Sequence, residues 1–185
     1  IISDLEFLSY LEKKKTLIGI TGTNGKSTTT VFTKNLISFK KRSKSQMCGN
    51  IGIPFDKINL KKYLGPLVVE ISSFQLDRIQ NLKFEIATLL NISKDHIDWH
   101  HNMNSYIKAK LNIFKNQTKS STAIICIDNK ICEKIAKEFK MNFKSKLITI
   151  STDSKKKSDI NFRENEYEIE IINNLINKRI LIKKD

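Results

Sequence analysis

Arginine is scarce in this sequence of 185 residues, although the chain is strongly basic. The formal net charge is +14, yet arginine stands only at positions 42, 78, 163 and 179, and lysine supplies the other 29 of the 33 basic residues. Arginine is the side chain that most often reads DNA bases and binds phosphate through two hydrogen bonds. Its scarcity favours a compositional bias toward lysine over a nucleic-acid-binding surface, while a basic field would still attract an anionic substrate.

Long apolar runs and paired cysteines are absent as well. No stretch approaches the roughly 20 apolar residues that a membrane-spanning helix needs, and the start of the chain mixes charged with apolar residues, unlike a signal peptide. The three cysteines, Cys48, Cys126 and Cys132, are odd in number and include no Cys-x-x-Cys pair. These features argue against a disulfide scaffold or a zinc site, and predict a cytoplasmic protein with reduced thiols.

Short apolar segments alternate with helical patterns along most of the chain. The predicted strands are residues 17–20, 67–71, 86–90, 123–127 and 147–150, and the predicted helices are residues 4–15, 27–39, 106–114 and 130–139. Strands of this kind between helices predict an α/β fold, a mostly parallel sheet of the type found around phosphate-binding loops, flanked by helices. The apolar positions of the helix at residues 27–39 are Val31, Phe32, Leu36 and Ile37.

The connections and the C-terminal part follow other patterns. Residues 40–46 (KKRSKSQ) are predicted to be a solvated connection, and residues 49–55 (GNIGIPF) a glycine-rich loop. Beyond Ser151 a loop precedes alternating residues typical of antiparallel strands, with a turn near residues 173–174. The sequence therefore predicts a small antiparallel β extension at the C-terminal end.

A glycine-containing turn lies between the first strand and the second helix, in LIGITGTNGKSTTTVFTKNL at residues 17–36. Backbone N–H groups of such a turn and of the following helix N-terminus form an anion cradle. A lysine before the helix can reach terminal phosphates, and the next hydroxyl can ligate Mg²⁺. The candidate nucleotide-binding residues are Gly22, Thr23, Asn24, Gly25, Lys26, Ser27 and Thr28.

This turn departs from the strict pattern G-x-x-x-x-G-K-[ST], because Ile20 stands where the first glycine belongs. An ordinary strand-to-helix turn with a capping serine is the alternative. The further stretches GNIGIPF (49–55), VVEISSFQLD (68–77), LLNISKDHIDWH (89–100) and YIKAKLNIF (106–114) follow in order. Together with Thr-Gly-Thr-Asn-Gly-Lys-Ser, they resemble the Mur ligases, and the loop also resembles that of the folylpolyglutamate synthetases; both form amide bonds at the expense of ATP.

The Ser-Ser-Phe-Gln-Leu run resembles the Mur branch that adds D-glutamate to UDP-N-acetylmuramoyl-L-alanine in peptidoglycan synthesis. The resemblance is strong over residues 4–118 and weak from residue 119 onward. It implies the central ATP-binding domain of a three-domain ligase that works through an acyl phosphate with ATP and two Mg²⁺ ions. Another amide ligase of the same superfamily, and a non-catalytic nucleotide- or nucleic-acid-binding module, are the alternatives.

The chain begins with Ile1, and the family's His-Asn-x-x-Asn segment is not found in it. Residues 1–16 are therefore expected to be a lead-in from a missing N-terminal domain, and residues 17–185 a central domain that lacks its C-terminal part. Such a fragment is expected to bind nucleotide weakly and to be inactive alone. The intact enzyme is expected to be a monomer that binds no nucleic acid and does not insert into a membrane.

Glu70 ends a predicted apolar strand, where burial of a carboxylate without a partner would be costly. The resemblance implies that Ser27 and Glu70 hold one Mg²⁺, which would supply that partner. It also makes His96 a ligand of the second metal and a substrate contact, and Asp95 could orient the imidazole ring. The alternatives are that Glu70 reaches solvent at the end of the strand and that His96 is an ordinary surface residue.

The resemblance singles out Lys110 among the many lysines of the chain. It implies that Lys110 carries a carbamate formed from CO₂, which turns a neutral amine into an anion able to help hold the second Mg²⁺. Lys108, one register away, is the alternative. Lys26, His96 and Lys110 are thus the expected catalytic residues.

Three further residues are candidate substrate contacts. The resemblance makes Asn50 a contact to the muramoyl substrate or to phosphates, although asparagine also tolerates a left-handed turn. Ser72 and Gln75 match substrate-contacting positions, and core or capping roles are equally open. His100 and His101 are expected to be exposed and without a role.

Overall fold

A computed structural model describes residues 2–10, 15–41, 45–53, 57–58, 65–153 and 155–183. The strands in these ranges are β1 (Leu17–Thr21), β2 (Gln46–Gly49), β3 (Leu67–Glu70), β4 (Ile86–Leu89), β5 (Thr122–Cys126), β6 (Lys146–Ser151), β7 (Ile160–Glu164), β8 (Glu168–Asn173) and β9 (Lys178–Lys183). The α-helices are α1 (Lys26–Lys41), α2 (Ser73–Leu76), α3 (Ile97–His100), α4 (Met103–Leu111) and α5 (Lys130–Asn142). Two 3₁₀ helices are Asp4–Tyr10 and Asn112–Phe114.

The strands form one sheet in the order β2-β3-β1-β4-β5-β6-β7-β8-β9. Every pairing from β2 to β7 is parallel, whereas β7–β8 and β8–β9 are antiparallel. The central strands are mostly apolar because packing covers both of their faces; Val68, Val69 and Ala87 are fully buried. The predicted α/β fold with an antiparallel C-terminal extension is confirmed.

The sequence missed elements that depend on pairing with distant strands. Strand β2 begins where the solvated connection was expected to end, and its residues gain hydrogen bonds from β3. Strand β7 continues the parallel sheet before the hairpin begins. Residues 11–14, 42–44 and 54–55, which belong to the predicted first helix and to the two predicted connections, lie outside the described residues.

Most of the apolar positions named for the helix α1 are exposed. Phe32 and Leu36 are 64% and 65% exposed, whereas Ile37 packs against the sheet. The helix contacts the sheet through the side that carries Thr30 and Ile37, so that most of its large apolar side chains point away. Apolar spacing alone therefore predicted the helix but not the face that it buries.

The expected lead-in packs on the same core as the rest of the chain. Leu5 and Leu8, in the 3₁₀ helix Asp4–Tyr10, are buried in the main apolar cluster. Glu6 is also buried and accepts hydrogen bonds from the backbone N–H groups of residues 80–82. The division at residue 16 remains a prediction. No helix among the described residues is long and apolar enough to cross a bilayer.

Candidate functional site

The glycine-containing turn joins the end of β1 to the start of α1. Gly25 has φ of 79°, a left-handed conformation that favours glycine, and Lys26 begins the helix. Within the described residues, the backbone N–H groups of residues 25–28 donate to no protein acceptor. A helix N-terminus with four free N–H groups is a cradle for an anion. The Lys26 Nζ donates to the Thr23 carbonyl at 2.8 Å and would have to leave it to reach a bound phosphate.

Glu70 stands beside this turn at the end of β3. It pairs with Ile20 of β1, so that its carboxylate lies at the same edge of the sheet as the turn. Glu70 is 1% exposed; its Oε1 accepts from the Asn50 Nδ2 at 3.0 Å, and its Oε2 is buried without a partner among the described residues. A buried carboxylate oxygen without a donor fits a divalent cation, because hard cations take oxygen ligands.

Asn50 is held against Glu70 by the backbone as well as by its side chain. The Asn50 N–H donates to the Glu70 carbonyl at 2.9 Å. Gly49, with φ of 103°, makes this approach possible, since a Cβ on it would lie 2.0 Å from the Glu70 carbonyl oxygen. The glycine-rich loop therefore places Asn50, a predicted substrate contact, against Glu70, a predicted metal ligand.

Lys110 is a buried cation without an acidic partner among the described residues. It is 2% exposed, and its Nζ donates to the Gly22 carbonyl at 2.8 Å and lies 4.8 Å from the centre of the Tyr106 ring. Burial, and then the positive charge of Lys26, lower the pKa of Lys110 from 10.5 to about 7, against a smaller opposing effect of Asp95. A pKa near neutrality supplies the free amine that reaction with CO₂ requires. Lys108, the alternative, is exposed.

The buried lysine predicts a pH-dependent stability of this chain. The folded pKa of Lys110 lies below its unfolded value, so between pH 7 and 9 the unfolded state binds more protons and stability rises with pH, by about 2 kcal/mol. Burial raises the pKa of Cys48 and Cys132 to about 12 and also raises that of Cys126, so these thiols begin to oppose the rise as the pH approaches their ordinary value of 9.0, equally in every variant compared. Lys110→Met should remove the rise between pH 7 and 9, and Lys108→Met should keep it. Denaturant unfolding in CO₂-free buffer measures both; equal slopes for Lys110→Met and the unaltered chain would contradict the burial of a neutral amine.

His96 and Lys110 both lie close to the Tyr106 ring. Its backbone has φ of 51°, and its Nε2 lies 3.2 Å from the Asp95 Oδ2, a contact suited to orienting the ring. Its ring centre lies 4.9 Å from that of Phe74 and 6.4 Å from that of Tyr106. The structure thus brings His96 and Lys110 to one aromatic side chain, and their role as metal ligands remains a prediction.

Ser72 and Gln75 form the reciprocal cap of α2. The Ser72 Oγ accepts from the Gln75 backbone N–H, and the Gln75 Oε1 accepts from the Ser72 backbone N–H, at 3.2 and 3.1 Å. These contacts fit the capping role that the sequence left open for Ser72 and Gln75, and their contact with substrate stays a prediction.

The expectation that His100 is exposed was wrong: it is 5% exposed, its Nε2 lies 3.0 Å from the Ser73 Oγ, and its ring stacks on Phe74.

His100 is buried because α3 packs against α2, and the local sequence pattern does not predict this tertiary contact. Burial is the main cause that lowers the pKa of His100 below its ordinary value. His101 is exposed as expected.

Asn91 and Tyr106, which received no role from the sequence, contact the glycine-containing turn, called the phosphate loop below, directly. Both residues lie in stretches that carry the family resemblance, residues 89–100 and 106–114, and Asn91 also follows a buried strand, but nothing local assigned either of them to the turn.

The chain matches known proteins over most of its length. Residues 20–183 match the Mur ligase middle domain. The UDP-N-acetylmuramoylalanine--D-glutamate ligases of Rickettsia bellii (strain RML369-C) and Clostridioides difficile (strain 630) are 41% and 38% identical to it over 151 and 172 residues. These alignments cover 82% and 92% of this chain but 33% and 37% of the relatives. The chain thus spans about a third of the length of the curated relatives it matches.

Solved structures show the same fold at lower identity. A UDP-N-acetylmuramoyl-L-alanyl-D-glutamate--2,6-diaminopimelate ligase superposes with a TM-score of 0.74 and 21% identity, over 96% of this chain and 40% of that one. The MurF ligase from Thermotoga maritima, solved in complex with ADP, superposes with a TM-score of 0.68 and 20% identity, over 97% and 42%. At such identities the likeness establishes the fold alone.

Proposed function

Because the chain belongs to the Mur ligase family through its match to the middle domain, we propose that the full-length protein is an ATP-dependent ligase that adds D-glutamate to UDP-N-acetylmuramoyl-L-alanine. The observation that carries the proposal is the row of N–H groups at residues 25–28, which have no acceptor in the part of the chain that the structure describes, together with the Lys26 side chain. This arrangement suits a polyphosphate. The choice of D-glutamate is supported by relatives of about 40% identity that bear that name.

In the proposed reaction, the terminal carboxylate of UDP-N-acetylmuramoyl-L-alanine attacks the γ-phosphate of ATP, and ADP leaves. The amine of D-glutamate then attacks the acyl phosphate, and inorganic phosphate leaves as the amide forms. The residues of this chain bind and orient the polyphosphate: the N–H groups of residues 25–28 receive its oxygens, and Lys26 leaves the Thr23 carbonyl to contact the terminal phosphates. Such catalysis is mainly positional and electrostatic.

Bound Mg²⁺ would neutralise the negative charge on the transferring phosphoryl group. The unpartnered Oε2 of Glu70 fits one Mg²⁺ together with the Ser27 hydroxyl at the start of α1. His96 and Lys110 would hold the second, with Lys110 as a carbamate. The lowered pKa of Lys110 and its burial support this assignment. Asn50 would retain its bond to Glu70 and face the substrate.

Phosphate release by the full-length protein tests the proposal. We would supply ATP and UDP-N-acetylmuramoyl-L-alanine, and offer D-glutamate, L-lysine, meso-diaminopimelate and L-alanine in turn. Release with D-glutamate alone is expected. Release with another amino acid would place the enzyme in a different branch, and no release with any of them would overturn the ligase function. The chain of 185 residues alone is expected to bind nucleotide weakly and to release no phosphate.

A further inference from the structure

Asn91, just beyond β4, holds the phosphate loop by its backbone and its side chain. Its carbonyl accepts from the Thr23 N–H at 3.0 Å, and its Oδ1 accepts from the Asn24 N–H at 2.8 Å. Its Nδ2 donates to the Asn24 carbonyl at 3.0 Å. The Asn91 amide therefore pairs with both polar groups of one loop residue, as a neighbouring strand would.

Tyr106, on α4, holds the same loop from the buried side. It is fully buried, and its hydroxyl lies 3.0 Å from the Thr23 Oγ1. The Thr23 Oγ1 also accepts from the Ser93 N–H at 3.0 Å and donates to the Ser93 carbonyl at 3.3 Å. A hydroxyl has one donor and two acceptor positions, so the set is complete when Tyr106 donates to Thr23.

These bonds divide the loop into two parts. The N–H groups of Thr23 and Asn24 are occupied by Asn91, whereas the next four, at residues 25–28, donate to no protein acceptor in the described ranges. A loop whose first residues are held by both backbone and side chains keeps the following N–H groups aimed in one direction. Preformed donors lower the cost of ordering the site when an anion binds.

We propose that Asn91 and Tyr106 form a clamp that positions the loop for phosphate, and that both are positioning residues for nucleotide binding. The proposal rests on the nucleotide-binding function proposed above and extends it to two side chains outside the loop. Neither side chain needs to touch the nucleotide. Their effect should therefore fall on the affinity for ATP more than on the rate of the chemical step.

The test compares kinetic constants for ATP in full-length protein. Asn91→Ala removes both side-chain bonds to Asn24 and is expected to raise the KM for ATP about tenfold, with kcat within about threefold of the unaltered enzyme. Tyr106→Phe removes only the hydroxyl, keeps the ring beside Lys110, and should raise the KM about fivefold. Asn116→Ala is the matched control, because the Asn116 Nδ2 also donates to two backbone carbonyls, those of Gln80 and Leu82, away from the loop.

A double-mutant cycle separates the clamp from general loosening of the fold. Thr23→Val and Tyr106→Phe remove the same hydrogen bond, so the double variant should raise the KM for ATP less than the product of the single effects. Multiplicative effects would overturn the Tyr106 part of the clamp. Should Asn91→Ala fail to fold, Asn91→Asp serves instead: it keeps the acceptor for the Asn24 N–H, loses the donor, and should raise the KM.

Three outcomes distinguish the clamp from the function on which it rests. An unchanged KM for ATP in Asn91→Ala and Tyr106→Phe, with ATP binding lost in Lys26→Ala, would overturn the clamp and leave the nucleotide site standing. A KM that rises equally in Asn116→Ala would also overturn the clamp, since any loss of stability would then have the same effect. Absence of ATP binding by the unaltered full-length protein would overturn the nucleotide site itself, and the clamp with it.

Discussion

Lys26→Ala in the full-length protein is expected to lower kcat/KM for ATP about a thousandfold. Lys26 begins α1, and its Nζ reaches the Thr23 carbonyl at 2.8 Å, beside the N–H groups of residues 25–28, which have no acceptor among the described residues. The ammonium would supply a mobile positive charge to the terminal phosphates. Alanine keeps the helix start, because it has high helix propensity, and removes only that charge.

ATP-dependent phosphate release and binding of an ATP analogue measure this effect. Lys34→Ala is the matched control: Lys34 lies further along α1, and its Nζ contacts the exposed side chain of Asn35. It should leave kcat/KM within about twofold, because surface ion contacts contribute little. Equal losses in both variants would indicate a general effect of positive charge, and a loss in neither would remove Lys26 from the site.

Glu70→Gln should lower kcat by about two to three orders of magnitude and raise the Mg²⁺ concentration that gives half-maximal activity. The glutamine keeps an oxygen for the Asn50 Nδ2, but replaces the unpartnered Oε2 by an amide that cannot ligate a cation. Thermal stability without Mg²⁺ should not fall, because the change removes a buried charge that has one neutral partner. Loss of activity without loss of stability is the expected signature of a ligand.

Glu6→Gln provides the matched control for this variant. Glu6 is also 1% exposed, but both of its carboxylate oxygens accept backbone N–H groups, from residues 80–82. Its replacement should lower the melting temperature and leave the Mg²⁺ dependence unchanged. An unchanged Mg²⁺ dependence in Glu70→Gln would contradict the assignment of Glu70 as a metal ligand.

Local patterns were sufficient for the parts of the fold that depend on neighbours in sequence. The apolar runs at β1, β3 and β4 predicted buried parallel strands, and the glycine, lysine and hydroxyl residues after β1 predicted an anion cradle at the helix start. The first of these predictions is confirmed by the sheet, and the second is supported by the free N–H groups. Lys110 required the family resemblance, because nothing local separates it from the other lysines.

Contacts between residues distant in sequence decided the rest. Asn50 reaches Glu70 because β2 pairs with β3, and Asn91 and Tyr106 reach the loop across 67 and 83 positions of the chain. His100 is buried only because α3 lies on α2. Sequence periodicity predicts which side chains share one face of a helix or strand, but it does not predict which other element packs against that face.

By itself, the sequence determined an α/β domain with a phosphate loop and named most of the polar residues around it. The tertiary structure decided which of those residues are buried, which oxygen of Glu70 has no partner within the described ranges, and which side chains hold the loop. The physical reason is that burial and hydrogen-bond satisfaction are properties of the packed chain. They fix the pKa of Lys110 and the free N–H groups at residues 25–28 only once the strands have paired.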